Sequence, residues 1–269
     1  MRNVVRDGLR LSLGGLLLLG LSGCASAPVP RPVAPLVSSG RGPSMALPLN
    51  TVVVDAGHGG HDPGTSHFGL KEKHLALDIA KRLRAQLEEA GLKVVMTRQT
   101  DQFIPLSGRP GLANRLHADL FVSIHINANR NRRVSGIEVY YPRESVVSSS
   151  AQWPPSVTEN EVAIPSTTVK QVLWDLVLGR TRSHAHRLAS SICRSMRTQL
   201  QVSSRGTKPA RFVVLREAWM PAVLVEVGYV SNEVEAGRLG SPTYRQAIAE
   251  SIGEGVVSYI RDASAQGRL

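Results

Sequence analysis

The stretch VVVDAGHGGHDPG runs from Val52 to Gly64. It opens as an apolar, β-branched run and ends in a loop carrying Gly57, Gly59, Gly60 and Gly64, with His58, His61 and Asp62 among them. A strand that runs into such a loop marks either a phosphate cradle or a metal site at the strand's end. The phosphate reading is weak. A P-loop ends in Gly-Lys-Ser/Thr, because the lysine and the hydroxyl meet phosphate and magnesium. A dinucleotide loop needs GxGxxG opening a helix. Neither pattern is present, and Pro63 interrupts the loop. His58 and His61 remain as the reactive side chains, and the rest of the fold must supply their partners.

Outward from this strand the chain alternates between two periodicities. Residues 73–90 carry Leu75, Ile79, Leu83 and Leu87 at steps of four, which predicts a helix. Gly91 suits its C-terminal cap. LKVVMTR, ADLFVSIHIN, GIEVYY, RFVVL and PAVLVEVGYV read as further strands, and 107–117, 183–200 and 242–261 as further helices. Several strands are apolar throughout, as expected for a sheet covered on both faces. The predicted fold is α/β, a mostly parallel twisted sheet with helices on both faces. One insert breaks the alternation at 142–182, where SSS, PP and ENE precede the apolar-faced TVKQVLWDLVLGR. A long irregular insert in a compact domain is functional or disordered.

The 269 residues are 42% hydrophobic, enough for one sizeable domain with tails to spare. Arg2, Arg6 and Arg10 precede the apolar LSLGGLLLLGL, which reads as a secretory signal too short to span as a mature helix. LSGC, ending at Cys24, resembles the bacterial lipoprotein signal, in which the cysteine is lipidated and becomes the new N-terminus. Ala25 and Ser26 are not acidic. By resemblance to lipoprotein sorting in diderm bacteria, that permits the outer membrane. The expected organisation is a signal peptide at 1–24, a Pro/Ser/Ala-rich tether at 25–49 and a catalytic domain at 50–264. The expected location is the cell envelope, lipid-anchored and facing the periplasm. The net charge of +11 is spread along the chain, and aromatics are 4%. With no basic block or aromatic platform, nucleic-acid binding is a poor reading. An exported basic surface suits anionic lipid or wall polymer instead.

In open α/β sheets ligands gather at the carboxyl ends of strands. His58 follows the first strand, Glu72 lies between it and the first helix, His125 ends the third strand, and Glu226 sits inside VLVEVGYV. Two histidines and a glutamate are a common catalytic zinc set that leaves one position open for water. A spare carboxylate can take that water's proton. Glu226 is the most conspicuous of the four, because an ionised carboxylate in an apolar strand is costly without a metal, a proton or a partner. The residues alone leave open a salt-bridged Glu226 and a satisfied core histidine at His125. They are too far apart in sequence for a local motif such as HExxH.

Four motifs carry a resemblance: DAGHGGHDPG, Glu72 in its EK dipeptide, LSGRPGLANRLHADLFVSIHINAN and PAVLVEVGYVSN. Together, over Leu49 to Ile260 apart from the insert, they resemble the family-3 N-acetylmuramoyl-L-alanine amidases. The resemblance implies a zinc-peptidase-like α/β fold and one Zn2+ per chain held by His58, Glu72 and His125. It implies Glu226 as the catalytic glutamate. The implied reaction cuts the amide between N-acetylmuramic acid and L-alanine in peptidoglycan, for wall remodelling or daughter-cell separation. Relatives in cell division carry a helix at the position of the insert that covers the site until a LytM-type activator moves it. Glu159 or Glu161 is therefore expected to plug the zinc at rest. Two other functions stay in view: a zinc peptidase cutting within the stem peptide, and a non-catalytic peptidoglycan-binding regulator, which would be expected to lack one of the four residues. The chain is expected to act as a monomer.

The other polar residues read as follows. Asp55 is expected to orient His58 or cap its loop, since metal-bound histidines donate their other N–H to a carboxylate or carbonyl. Asn127 is expected to bind substrate or hold the loop, and Arg109 to sit in a buried ion pair. His61 reads as loop-exposed, and Cys193 as a packed thiol. His184 and His186, two apart on a helix, make a poor metal pair. His67, His74 and His117 have no partner visible in sequence.

Overall fold

The computed structural model describes residues 49–143 and 167–265, with 167–178 described by backbone alone. β1 (Thr51–Ala56) is the apolar opening strand. A short hairpin of β2 (Ser66–His67) and β3 (Leu70–Lys71) leads into α1 (Glu72–Glu89). Then come β4 (Lys93–Met96), α2 (Gly108–Arg115), β5 (Leu120–Asn127) and β6 (Ile137–Pro142). The second half holds α3 (Thr167–Leu200), β7 (Ser204–Ala210), α4 (Val213–Arg216), β8 (Ala222–Tyr229), α5 (Glu233–Gly240) and α6 (Pro242–Ala265).

Six strands form one sheet in the order β4-β1-β5-β8-β6-β7. The pairs β1/β4, β1/β5, β5/β8 and β6/β7 are parallel, and only β6/β8 is antiparallel. Side chains alternate between the two faces of the sheet. Val52, Val54, Val122, Ile124, Val223 and Val225 join the larger core cluster with Leu83 and Leu87 of α1, Leu188 and Ile192 of α3, and Ile252 of α6. Each such fully buried aliphatic side chain contributes on the order of 1.5–3 kcal/mol. Val53, Phe121 and Leu224 point the other way and pack with Ala113 of α2 and Val214 and Leu215 of α4. This second cluster is smaller, and it stops short of the strand ends where the polar site begins.

Local signals explain the helix ends. After α1, Gly91 at φ +86° lets its N–H reach Glu88 O at 3.0 Å, while Leu92 N–H reaches Leu87 O at 3.0 Å. That is a Schellman turn, which a glycine in left-handed geometry closes at least cost. α3 and α6 cross closely: a Cβ on Gly255 would lie 2.6 Å from Ile192 Cα, so only glycine fits there.

Three expectations change. RFVVL is not a strand: Val213–Arg216 is one helical turn, and the strand is the polar SRGTKPA before it. β7 is an edge strand, so it tolerates Gly206 and Pro209 and needs no apolar run. Val214 and Leu215, which prompted the strand reading, fill the second core instead. The helical stretch that ends the insert and the helix predicted from Ser183 are not separate elements. α3 is continuous from Thr167 through Leu200, because nothing between Arg180 and Ser183 breaks a helix. α5 was unforeseen; it begins at Asn232, whose side chain accepts from Glu235 N–H as an N-cap.

Candidate metal centre

The loop after β1 is built by glycines and clamped by arginines. His58, Gly59, Gly60 and Gly64 all have positive φ (57°, 125°, 60° and 64°), a conformation that glycine adopts at no steric cost. Gly59 N–H donates to Asp62 O at 3.0 Å and Asp62 N–H to Gly59 O at 3.2 Å, which folds the loop back on itself. Two buried guanidiniums hold its carbonyls. Arg98 donates to Ala56 O at 2.9 Å and Gly57 O at 2.7 Å. Arg109 donates to Ala56 O at 2.8 Å and His58 O at 2.9 Å.

This frame turns the His58 ring toward Glu72 and His125. His58 Nε2 lies 3.2 Å and His125 Nδ1 2.9 Å from Glu72 Oε1. Ile126 N–H donates to the same oxygen at 3.0 Å, and Thr65 N–H donates to Oε2 at 2.9 Å. One ligand atom from each of the three side chains falls within 4.8 Å of the others. Glycines keep the space free of carbon. A Cβ at Gly57 would stand 2.4 Å from His125 Cε1, and one at Gly64 would stand 2.6 Å from Glu72 Oε2. Burial pushes the Glu72 carboxyl up, but the His125 and His58 rings outweigh it and hold it well below the usual carboxylate range. Burial lowers His58, while Glu72 and Asp62 more than offset that and raise it. Two imidazoles and one ionised carboxylate, converging and fixed from behind, fit a zinc ion with an open position.

A second feature lies on the same row of the sheet. β5 and β8 align His125 with Glu226, and β8 and β6 align Glu226 with Glu138. Glu226 Oε2 is buried and accepts no hydrogen bond among the described residues. Burial pushes the Glu226 carboxyl well above its ordinary range, and the carboxylates of Glu72 and Glu138 push the same way. Ser123 and Asp55 form the next row down.

Residues 52–258 match the family model for N-acetylmuramoyl-L-alanine amidases. This chain belongs to that family. It is 40% identical over 217 residues to the amidase AmiA of Escherichia coli, covering 77% of this chain and 75% of that one. It is 34% identical over 262 residues to AmiC of Neisseria meningitidis, covering 94% of this chain and 62% of that one. Among solved structures, the amidase AmiC2 of Nostoc punctiforme superposes with a TM-score of 0.63 at 33% identity, over 79% of this chain and 97% of that one. The CwlD amidase of Clostridioides difficile, solved in complex with the GerS lipoprotein, gives 0.63 at 25% identity, over 79% and 99%.

Not every residue singled out in this amidase-family sequence lies where expected. Asp55 does not touch the His58 ring. It is fully buried, accepting from Thr97 Oγ1 at 2.6 Å, Ser123 Oγ at 2.6 Å and Arg109 at 2.9 Å. Among the described residues it is linked to the loop through Arg109, which also donates to Ala56 O and His58 O. The carboxylate on the His58 ring is Asp62, with Oδ2 2.7 Å from Nδ1. Asn127 holds the loop: its side chain accepts from Ala128 N–H at 2.8 Å and donates to Glu138 at 3.4 Å. Arg109 makes the expected buried ion pair. His61 is exposed and rests against Phe103, with ring centroids 4.2 Å apart. His184 is buried beside the Tyr259 hydroxyl at 2.8 Å, and His186 meets Tyr141, so the two face apart. Cys193 is buried, with Sγ 3.0 Å from Ser204 Oγ. Glu159, Glu161 and Cys24 lie outside the described residues.

Sequence reading passed over Asp62, Arg98 and Glu138. Glu138 carries the same signal as Glu226, a carboxylate inside an apolar strand (GIEVYY). Asp62 stands four residues after His58 in a Gly-rich loop, too irregular for spacing to place its side chain.

Proposed function

We propose that the chain hydrolyses the amide between N-acetylmuramic acid and L-alanine in peptidoglycan, with one zinc ion held by His58, Glu72 and His125 and with Glu226 as proton carrier. One observation carries the reading: three zinc-type ligand atoms within 4.8 Å stand beside a glutamate with a buried, unpartnered oxygen, in a chain of the amidase family. When bound, zinc supplies Lewis acidity toward the carbonyl and a water of near-neutral pKa. Glu226 removes a proton from the attacking water as it adds to the amide carbon. It then delivers that proton to the alanine nitrogen as the C–N bond breaks, which releases a carboxylic acid and an amine. Asp62 fixes the His58 ring, and Ile126 N–H and Thr65 N–H fix both oxygens of Glu72.

The proposal extends to the chain's setting. LSGC ending at Cys24 supports a lipid anchor at the envelope, facing the periplasm, and the described residues contain no helix long and apolar enough to cross a membrane. Control by a LytM-type partner acting through the insert at 142–182, with Glu159 or Glu161 as plug, is consistent with a related amidase having been solved with a second protein bound.

Mass spectrometry of purified sacculi digested by the full chain with zinc tests the reaction. Free stem peptides and peptide-free glycan are expected. Cut peptides with the muramic amide intact would make the protein a peptidase of the stem. No product, with or without residues 156–178, would make it a non-catalytic binder.

A further inference from the structure

The row that holds His125 and Glu226 does not end at Glu138. β7 lies beyond β6 at the edge of the sheet. From it Arg205 Nε donates to Glu138 Oε1 at 2.7 Å, and Lys208 Nζ donates to the same oxygen at 2.8 Å. Tyr229 Oη donates there too, at 2.9 Å, while Tyr140 Oη donates to Oε2 at 2.5 Å. Two cations on one carboxylate leave a net positive charge. Glu138 is 2% exposed, but the Arg205 and Lys208 side chains are 43% and 39% exposed. Among the described residues each spends one donor on Glu138, which leaves the outer guanidinium nitrogens and the remaining ammonium hydrogens for another acceptor. Stability alone is a weak reason for this cluster. Burying a carboxylate is costly, and exposed ion pairs return little.

Facing residues on adjacent antiparallel strands hold their Cβ atoms about 5 Å apart. An extended peptide that runs from His125 and Glu226 across β6 toward β7 passes Glu138 within a residue or two and reaches the two cations. We propose that Arg205 and Lys208 bind a free carboxylate of the substrate peptide next to the scissile amide, with Glu138 as the positioning residue that holds both cations there. This rests on the amidase reading above and adds to it a preference for acidic peptides.

The test compares two short muramyl-L-alanyl peptides that differ only in whether the residue after alanine bears a carboxylate or its amide. The full chain with zinc is expected to favour the carboxylate by about tenfold in kcat/KM, most of it in KM. Arg205→Gln and Lys208→Gln should each bring that ratio toward one, and Arg205→Lys should keep most of it. Equal rates for the two peptides in the parent protein would overturn the proposal. So would variants that lose activity on both peptides alike, since that is what a purely structural role predicts. If neither peptide is cut, with or without residues 156–178, the amidase reading fails by itself. Calorimetric affinity for the same two peptides then decides the carboxylate site: tighter binding of the acidic one upholds it, and equal binding rejects it.

Discussion

Glu226 and Glu138 face each other across β8 and β6, and the same side chain meets opposite surroundings. Glu138 receives Arg205, Lys208, Tyr140 and Tyr229, and these donors hold it at about 2 against its burial. Glu226 has a buried oxygen with no donor among the described residues, and burial raises its carboxyl well above the usual range. Glu72 accepts from two backbone N–H groups, those of Ile126 and Thr65, one on each oxygen. The difference supports the proposed assignment of Glu226, not Glu138, as the reactive carboxyl. A carboxylate given every hydrogen bond it can accept is locked in its ionised form. One deprived of partners can gain and lose a proton, and that is the requirement for a general base.

The comparison can be broken most forcefully from the metal side. His58→Ala and His125→Ala should each lose zinc by elemental analysis, and turnover should fall below detection; unchanged zinc in both would sink the ligand assignment. Next in size is Glu226→Gln, which should lower kcat by about 10²–10⁴-fold while zinc content stays at the parent level. Loss of zinc in this variant would make Glu226 a ligand rather than a proton carrier.

Smaller effects sharpen the contrast. Asp62→Asn should weaken zinc binding by roughly 10–100-fold in a chelator competition, because Asp62 aims and polarises the His58 ring. An effect from Asp55→Asn but none from Asp62→Asn would restore Asp55 as the orienting residue.

The smallest effect is on stability. The Glu138 carboxyl lies near 2 in the folded chain against an ordinary 4.5. Its stabilisation is therefore complete above pH 4.5 and drains away as pH falls from about 4.5 toward 2. Glu226, raised instead, contributes stability only while protonated and costs it as pH rises past the ordinary carboxyl range. In metal-free protein at neutral pH, Glu138→Gln should lower the melting temperature and Glu226→Gln should raise it. Each kcal/mol corresponds to roughly 2–4 °C. Shifts of the same sign in both variants would refute the proposed opposition.

Much of this was legible in the chain. The apolar strands, the four-residue steps of α1 and the Gly91 stop depend on local periodicity and backbone preference, and they are where periodicity placed them. β7 was misread because an edge strand needs no apolar pattern. The adjoining VVL is apolar for a different reason: it is the one helical turn that seals the second core. α3 was divided because the insert's composition changes where its helix does not.

The sequence by itself singled out the side chains proposed to carry the chemistry, and a resemblance to a known family, not their spacing, selected them. Two histidines, a glutamate near a helix start and a glutamate in an apolar strand are unusual in their places whatever the fold. Only the tertiary structure decided how they divide the work. Parallel pairing of β5 with β8 and antiparallel pairing of β8 with β6 bring His125, Glu226 and Glu138 into one row from positions far apart in sequence. Asp62 replaces Asp55 behind His58 because a loop of positive-φ residues turns the ring. Saturated and bare carboxylates read identically as letters. What separates them is the number of donors within reach, and that is set by packing across the sheet, not by order along the chain.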